Sequence, residues 1–282
     1  MTAPFSATVL YALVLVAALA HASWNALIKR SDDPLLSLAG IRAVGLVAAL
    51  LVLTVAPWPH PDAWPFLAGH ALFIYVSYFF LLQAYQHGEY STVYPIARGI
   101  APMAVLLLSV LFGVDALSGG EMIATLIIVT GIGLFAQQKS ASPVAVAYAL
   151  GTGLSIAGYS LMAGLGVRPS GTTLGYLAAS EALAALGLLP IAWYLRRRHL
   201  VNYMRAHYLE LLGAGLLSIT AFGTVIWVYN FLPIAPVSAV RESSVAFAVL
   251  IGVCFLGEAL NWQKVLGLTL VISGTVSLAL LV

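Results

Sequence analysis

Charge is what this sequence has least of. Twelve Lys and Arg and ten Asp and Glu make up 8% of 282 residues, against 62% hydrophobic residues and a mean hydropathy of +1.01. Soluble chains carry roughly 25% charged residues, so too few ionic groups are present to cover a surface in water, and a soluble domain is excluded. The formal net charge is only +2, which gives no basic footprint for a nucleic acid. The single cysteine, Cys254, has no partner for an internal disulfide and reads as a small buried hydrophobe. There is no His-Glu-x-x-His and no cysteine pair, so no metal is expected. Gly151-Thr152-Gly153 lacks the third glycine of a dinucleotide fingerprint and follows no strand, so no cofactor is expected either. Ser243-Ser244 lies beside Glu242 without an associated histidine, and the chain does not read as an enzyme.

What the chain has instead is apolar runs of the length a bilayer demands, about 20 residues each. Breaks at Pro, Gly and charge place helices near 6–28, 35–56, 65–86, 91–112 and 121–137, then near 144–166, 173–195, 208–231, 236–256 and 263–281. The stretch ending in Ala20-His21-Ala22 has the form of a signal-cleavage site. No Lys or Arg precedes it and the apolar pattern continues through Asn25, so it reads as a span. The expected fold is all-α: a polytopic membrane protein of ten transmembrane helices, in contact with the lipid bilayer.

The two halves align with each other. At one constant offset Arg98 falls on Arg241, Asp115 on Glu258 and Gly131 on Gly274; at neighbouring offsets Tyr85-Gln86 falls on Tyr229-Asn230 and Arg42 on Glu181. With five spans in each half, the second copy enters the membrane from the opposite side. The expectation is two inverted five-helix repeats, 1–141 and 142–282, around a central cavity walled by helices 1, 3, 4, 6, 8 and 9, an arrangement typical of secondary transporters. Connections after the odd-numbered spans carry Lys29, Arg30, Lys139, Arg196, Arg197, Arg198, Arg205 and Lys264, whereas the other face carries Arg168. The positive-inside bias thus places both termini outside the cytoplasm.

Ionisable groups within spans are expensive and therefore functional candidates. Arg98 in the fourth helix and Arg241-Glu242 in the ninth admit two accounts: ties within the helix bundle, or guanidinium groups facing a cavity where they hold a carboxylate. Arg42 and Glu181 carry opposite signs at equivalent repeat positions, and a salt bridge, snorkelling or titration of Glu181 in the cavity all fit. The aromatic and amide residues crowd particular helices, with Tyr75, Tyr78, Phe79, Gln83 and Gln86 on the third and His21, Trp24 and Asn25 on the first. Tyr159 lies mid-span on the sixth, and Thr220, Thr224, Trp227 and Asn230 lie on the eighth. Cavity walls and interhelix ties both account for them.

These residues resemble the drug/metabolite transporter (DMT) superfamily, specifically its ten-helix EamA type. The resemblance rests on Trp24-Asn25 followed by Lys29, on Arg42, and on the stretch from Tyr94-Pro95 through Pro102 to Gly131. In the second half it rests on Pro236-Val237-Ser238, Leu256-Gly257-Glu258 and Gly274, with Gly113-Val114-Asp115 a conservative departure at the turn equivalent to Leu-Gly-Glu. It implies secondary transport of small polar or zwitterionic metabolites across the inner (plasma) membrane, foremost amino-acid export by alternating access. A lipid or lipid-linked sugar flippase and a sugar- or nucleotide-type exchanger are the alternatives. Substrate binding is expected at Trp24, Asn25, Tyr75, Tyr78, Phe79, Gln83, Tyr94, Arg98, Tyr159, Trp227, Asn230 and Arg241, and proton coupling, if any, at Glu242, Glu181 or His21.

Overall fold

The computed structural model describes residues 3–29, 31–88, 90–135, 142–256 and 260–281, and no strand occurs among them. The order is α1 (Ala7–Lys29), α2 (Pro34–Leu53), a 3-10 turn (Pro61–Ala63), α3 (Trp64–His87), α4 (Tyr90–Leu111), α5 (Gly119–Phe135), α6 (Pro143–Val167), α7 (Thr173–Ala206), α8 (Tyr208–Val228), α9 (Ile234–Glu242), α10 (Ser244–Leu256) and α11 (Trp262–Leu280). Eight segments are long and apolar enough to cross a bilayer, with α9 and the start of α10 together supplying one (Ile234–Ile251). The shorter apolar helices Ile96–Leu111 and Gly119–Leu134 bring the spans to ten.

Helix starts are written into the sequence. In lipid every end-of-helix N–H needs a partner, and Asp33, Ser142, Thr172 and Asn261 supply side-chain oxygens to the first turns of α2, α6, α7 and α11. Pro34 and Pro143 occupy first-turn positions, where no N–H is missed. Two elements depart from expectation. The ninth span is two helices that meet at Ser243, whose hydroxyl bonds back to the Val240 carbonyl. The seventh helix does not stop near 195 but turns at Arg197, whose φ of 25° is non-helical. The polar segment beyond it packs Tyr203 and Met204 against the ends of α1 and α2, and the Tyr203 hydroxyl lies 2.6 Å from Ser37 Oγ.

Packing follows the repeat. α3 packs on α6 and α1 on α8, contacts that exchange when the halves are swapped, while α2 packs on α7 and α5 on α11 across the axis between the halves. The aligned glycines explain the last pair. A Cβ on Gly131 would stand 2.8 Å from the Gly267 carbonyl oxygen, and one on Gly274 2.8 Å from that of Ala124, so only glycine permits this backbone approach. The expected boundary at 141/142 falls beside residues 136–141, which lie outside those described. Cys254 is exposed on the outer side of α10 instead of buried, because that apolar run turns one face outward from the bundle.

Candidate functional site

Between the halves lies a cavity of about 750 Å³, a size suited to one small molecule. Its inner end is set at mid-span by His70 of α3, Tyr159 of α6, Phe222 of α8 and Arg241 of α9. From there it extends past Tyr78 and Trp24 to Tyr85, Gly88 and Pro34, at the α1–α2 and α3–α4 connections. All six helices expected to wall it do so. α2 and α7 contribute as well, through Leu38 and Arg42 and through Ser180, Glu181, Ala184 and Leu188, while α5 and α11 stand outside.

Charge is concentrated at the inner end. Arg98 Nη1 donates to Glu242 Oε2 at 2.7 Å, while Arg241 donates through Nε and Nη2 to Oε1 of the same carboxylate. Helix α9 ends at Glu242, so the two adjacent residues can converge. Glu242 is fully buried behind the arginines, both of which line the cavity. The Arg241 guanidinium also lies 5.7 Å from the Tyr159 ring centroid, a cation–π contact. Arg98 Nη2 donates to His21 Nε2, and since guanidinium has no acceptor, His21 must present a lone pair there. The His21 ring stands edge-on to Trp24 at 4.9 Å.

A second pair lies nearby. Arg42 Nη1 bonds Glu181 Oε2 at 2.9 Å with both residues largely buried, which realises the salt bridge between repeat-equivalent positions. His70 bonds the Tyr159 carbonyl through Nδ1 at 2.9 Å. A carbonyl only accepts, so the proton sits on Nδ1 and Nε2 is left as an acceptor. His70 Nε2 and Trp24 Nε1 are buried and have no hydrogen-bond partner among the described residues.

The expected site residues divide. Trp24, Asn25, Tyr78, Arg98, Tyr159, Arg241, His21 and Glu181 come together on the cavity. Tyr75 does not: its hydroxyl donates to the Leu183 carbonyl at 2.6 Å and its ring packs against Gly187, tying α3 to α7. Phe79 is 56% exposed on the outer face of α3, and Gln83 is half-buried off the cavity. Trp227 packs against Phe5 and Phe231. Asn230 bonds Thr173 Oγ1 and the Trp227 carbonyl beyond the end of α8. Glu242 touches the arginines but not the cavity, with both oxygens occupied. The Tyr94 and Leu256 side chains and residues Gly257-Glu258 lie outside what the structure describes. Sequence reasoning missed His70, Phe222 and Thr152. A lone histidine inside the apolar third helix was the signal available for the first; the others carried none.

The opposite end is closed. Asp115, in the α4–α5 turn, pairs with Arg168 Nη1 at 2.7 Å and accepts the Ile234 backbone N–H at 2.7 Å, which caps the start of α9. Arg168 also donates to the carbonyls of Tyr229 and Leu232. The clamp joins a turn of the first half to two turns of the second, on the face away from the cavity mouth.

Known proteins can be set beside this geometry. The model of the EamA-like transporter family matches residues 8–137 and again 143–280. A solved crystal structure of a protein superposes with a TM-score of 0.76 at 15% identity, covering 97% of this chain and 99% of its own, a likeness of fold. No curated protein matched. Two successive family matches covering nearly the whole chain, on ten spans enclosing a charged cavity, place it as a multi-pass membrane transporter of small molecules: the chain belongs to the EamA-like transporter family.

Proposed function

We propose that the protein is an inner (plasma) membrane exporter of small zwitterionic metabolites, amino acids foremost, working by alternating access. The observation that carries this is the pair of buried guanidinium groups, Arg98 and Arg241, at the inner end of a cavity whose remaining wall is largely apolar and aromatic apart from the paired Arg42 and Glu181 and a few neutral polar side chains. An amino acid matches that layout. Its carboxylate meets arginine donors where water is scarce and charge-assisted bonds are strong, while its side chain lies among Tyr159, Phe222, Trp24 and Ile156.

Direction follows from charge. The cavity mouth lies on the face of the α1–α2 and α3–α4 connections, the same face as Arg196, Arg198, Arg205 and Lys264. Positive-inside bias makes that face cytoplasmic, so this conformation receives substrate from within the cell and both termini are outside. Release requires the repeats, 1–141 and 142–282, to rock about the mid-span site and the Asp115–Arg168 clamp to part. Proton coupling, if present, runs through Glu181 or His21, since Glu242 already accepts three N–H bonds from arginine.

Uptake of a panel of labelled amino acids into proteoliposomes tests the reading. We expect saturable uptake of at least one neutral amino acid and its loss in Arg98→Ala and Arg241→Ala. Movement of sugar phosphates or lipids with no amino acid carried would refute the assignment of substrate.

A further inference from the structure

The densest charge in the chain lies outside the cavity. Four of its twelve Lys and Arg, namely Arg196, Arg197, Arg198 and Arg205, fall within ten residues where α7 leaves the bilayer and the chain returns as α8. From Thr173 to Leu195 the helix runs about 35 Å, enough to cross the hydrocarbon core, so the arginines emerge at headgroup level. Exposed Trp193, Tyr194 and Tyr208 mark the same level on both spans, as aromatic residues do at a membrane interface. Past the turn at Arg197 the segment has two faces. Leu200, Tyr203 and Met204 pack against the ends of α1 and α2, whereas Arg198, His199, Asn202 and Arg205 are exposed. Its acidic neighbours are Asp33, paired with Arg196 at 3.3 Å, Glu210, 3.4 Å from His207, and exposed Asp32. Arg197, Arg198 and Arg205 make no ion pair among the described residues.

Beside Arg205 is a second hollow, of about 460 Å³, lined by Val201, Met204, Arg205 and Tyr208. Arg198, Val201, Asn202 and Arg205 recur at helical spacing and so share one face of the segment. Guanidinium groups along an apolar hollow, at headgroup level, complement a molecule with a phosphate at one end and an acyl chain at the other. We propose that this segment docks one anionic glycerophospholipid, its phosphate held by Arg198 and Arg205 and its acyl chain laid against Val201, Met204 and Tyr208. Guanidinium binds phosphate through paired, charge-assisted N–H bonds, and each basic residue near an anionic surface strengthens binding roughly fivefold. A zwitterionic lipid carries its own cation and forfeits that gain. The docked lipid bears on the cavity mouth, because the segment is tied to α2 by the Arg196–Asp33 pair and by the Tyr203 hydroxyl, 2.6 Å from Ser37 Oγ. Pro34, Leu35 and Leu38 of α2 line the cavity. Docking does not depend on what the cavity carries.

The experiment is native mass spectrometry of the full chain, released from detergent after equilibration with equal amounts of phosphatidylglycerol and phosphatidylcholine of matched acyl chains. We expect wild type to retain one phosphatidylglycerol in preference to phosphatidylcholine by about tenfold or more. Arg198→Gln/Arg205→Gln should lose that preference, Arg198→Lys/Arg205→Lys should keep most of it, and Lys264→Gln, on the same face, should leave it unchanged. Equal retention of the two lipids by wild type would overturn the proposal, as would equal losses in the lysine and glutamine variants. A loss in Lys264→Gln as large as in the double glutamine variant would also overturn it, leaving a diffuse attraction of the whole face. Competition separates the lipid from a soluble phosphate. Glycerol 3-phosphate in about hundredfold excess should leave the bound lipid in place, because it has no acyl chain for the hollow; complete displacement would assign the arginines to a free phosphate ester instead. If the double glutamine variant does not fold, Arg205→Gln decides: the preference should fall roughly fivefold, and an unchanged preference would overturn the site.

Discussion

Asp115→Ala removes two interactions at once from the closed face. The first is the cap on α9, where the carboxylate accepts the Ile234 N–H at 2.7 Å; losing such a cap costs about 1 kcal/mol. The second is the ion pair with Arg168, whose side chain is 32% exposed, and a partly exposed pair contributes about 0.2–1 kcal/mol. Arg168 keeps its bonds to the Tyr229 and Leu232 carbonyls, so the loss stays near 1–2 kcal/mol and falls on the state in which this face is shut. That corresponds to a shift of roughly 5- to 30-fold toward the state in which it is open. The assay replaces Cys254, the only cysteine, by serine and introduces Ala235→Cys in the first turn of α9, a fully buried position under the clamp. Labelling by a water-soluble maleimide then reports the open population, with Val55→Cys, at an 85% exposed position, as the reference. Labelling should rise about tenfold in Asp115→Ala. Equal labelling in wild type, Asp115→Ala and Arg168→Ala would refute the clamp as a gate.

Glu181→Ala should strand Arg42 in the bundle and lower stability by about 3–5 kcal/mol, with Arg42→Ala/Glu181→Ala recovering most of it; thermal unfolding in detergent measures both. Gly187→Ala places a Cβ 1.9 Å from the Tyr75 ring, an overpacking worth about 1–3 kcal/mol, and adding Tyr75→Ala should relieve the strain in the same assay. Because His21 serves Arg98 as an acceptor, His21→Gln should retain transport that His21→Leu loses. Phe79→Ala, on the outer face of α3, should leave substrate affinity unchanged where Tyr159→Ala weakens it.

The parts of the site that could be read from sequence are those whose presence in lipid needs an explanation. A guanidinium or carboxylate in a span must find partners, and Arg98, Arg241, Glu242, Arg42 and Glu181 all find one another. The repeat set Arg42 and Glu181 at equivalent positions and left a salt bridge as one account among several; the structure forms it because equivalent helices meet across the axis, as α2 meets α7. Gly131 and Gly274 work the same way: residues matched in the repeat become the contact between α5 and α11. The broken ninth span was not legible, since Ser243 bonds back to the carbonyl three residues before it as Ser77 and Ser180 do inside unbroken helices.

The third helix shows why the aromatic wall could not be fixed from sequence. A helix on the surface of a soluble protein announces its buried face by contrast with charge on the other. α3 lies between lipid and an aromatic cavity, and both media accept Tyr, Phe and Leu, so its apolar residues are spread around all faces. Tyr75, Tyr78 and Phe79 sit at spacings that can share a broad face, yet successive residues turn by about 100°. Tyr78 reaches the cavity, Phe79 the outside and Tyr75 the Leu183 carbonyl on α7. Beside Tyr75, which is tied to α7, the rotation of α3 is held by its small and polar residues. His70 and Ser77 are both buried, the first bonded to Tyr159 and the second to its own helix. Gly69 lets the Met162 side chain of α6 in against the α3 backbone. Substituting His70 by leucine should therefore disturb the aromatic wall at Tyr78 through helix rotation and also remove the acceptor at Nε2. His70→Asn, which keeps a donor within reach of the Tyr159 carbonyl, should preserve the rotation. Accessibility of a cysteine at Tyr78 to a reagent entering from the cavity mouth distinguishes the two. Equal labelling in His70→Leu and His70→Asn would show that α3 is oriented by its aromatic residues after all.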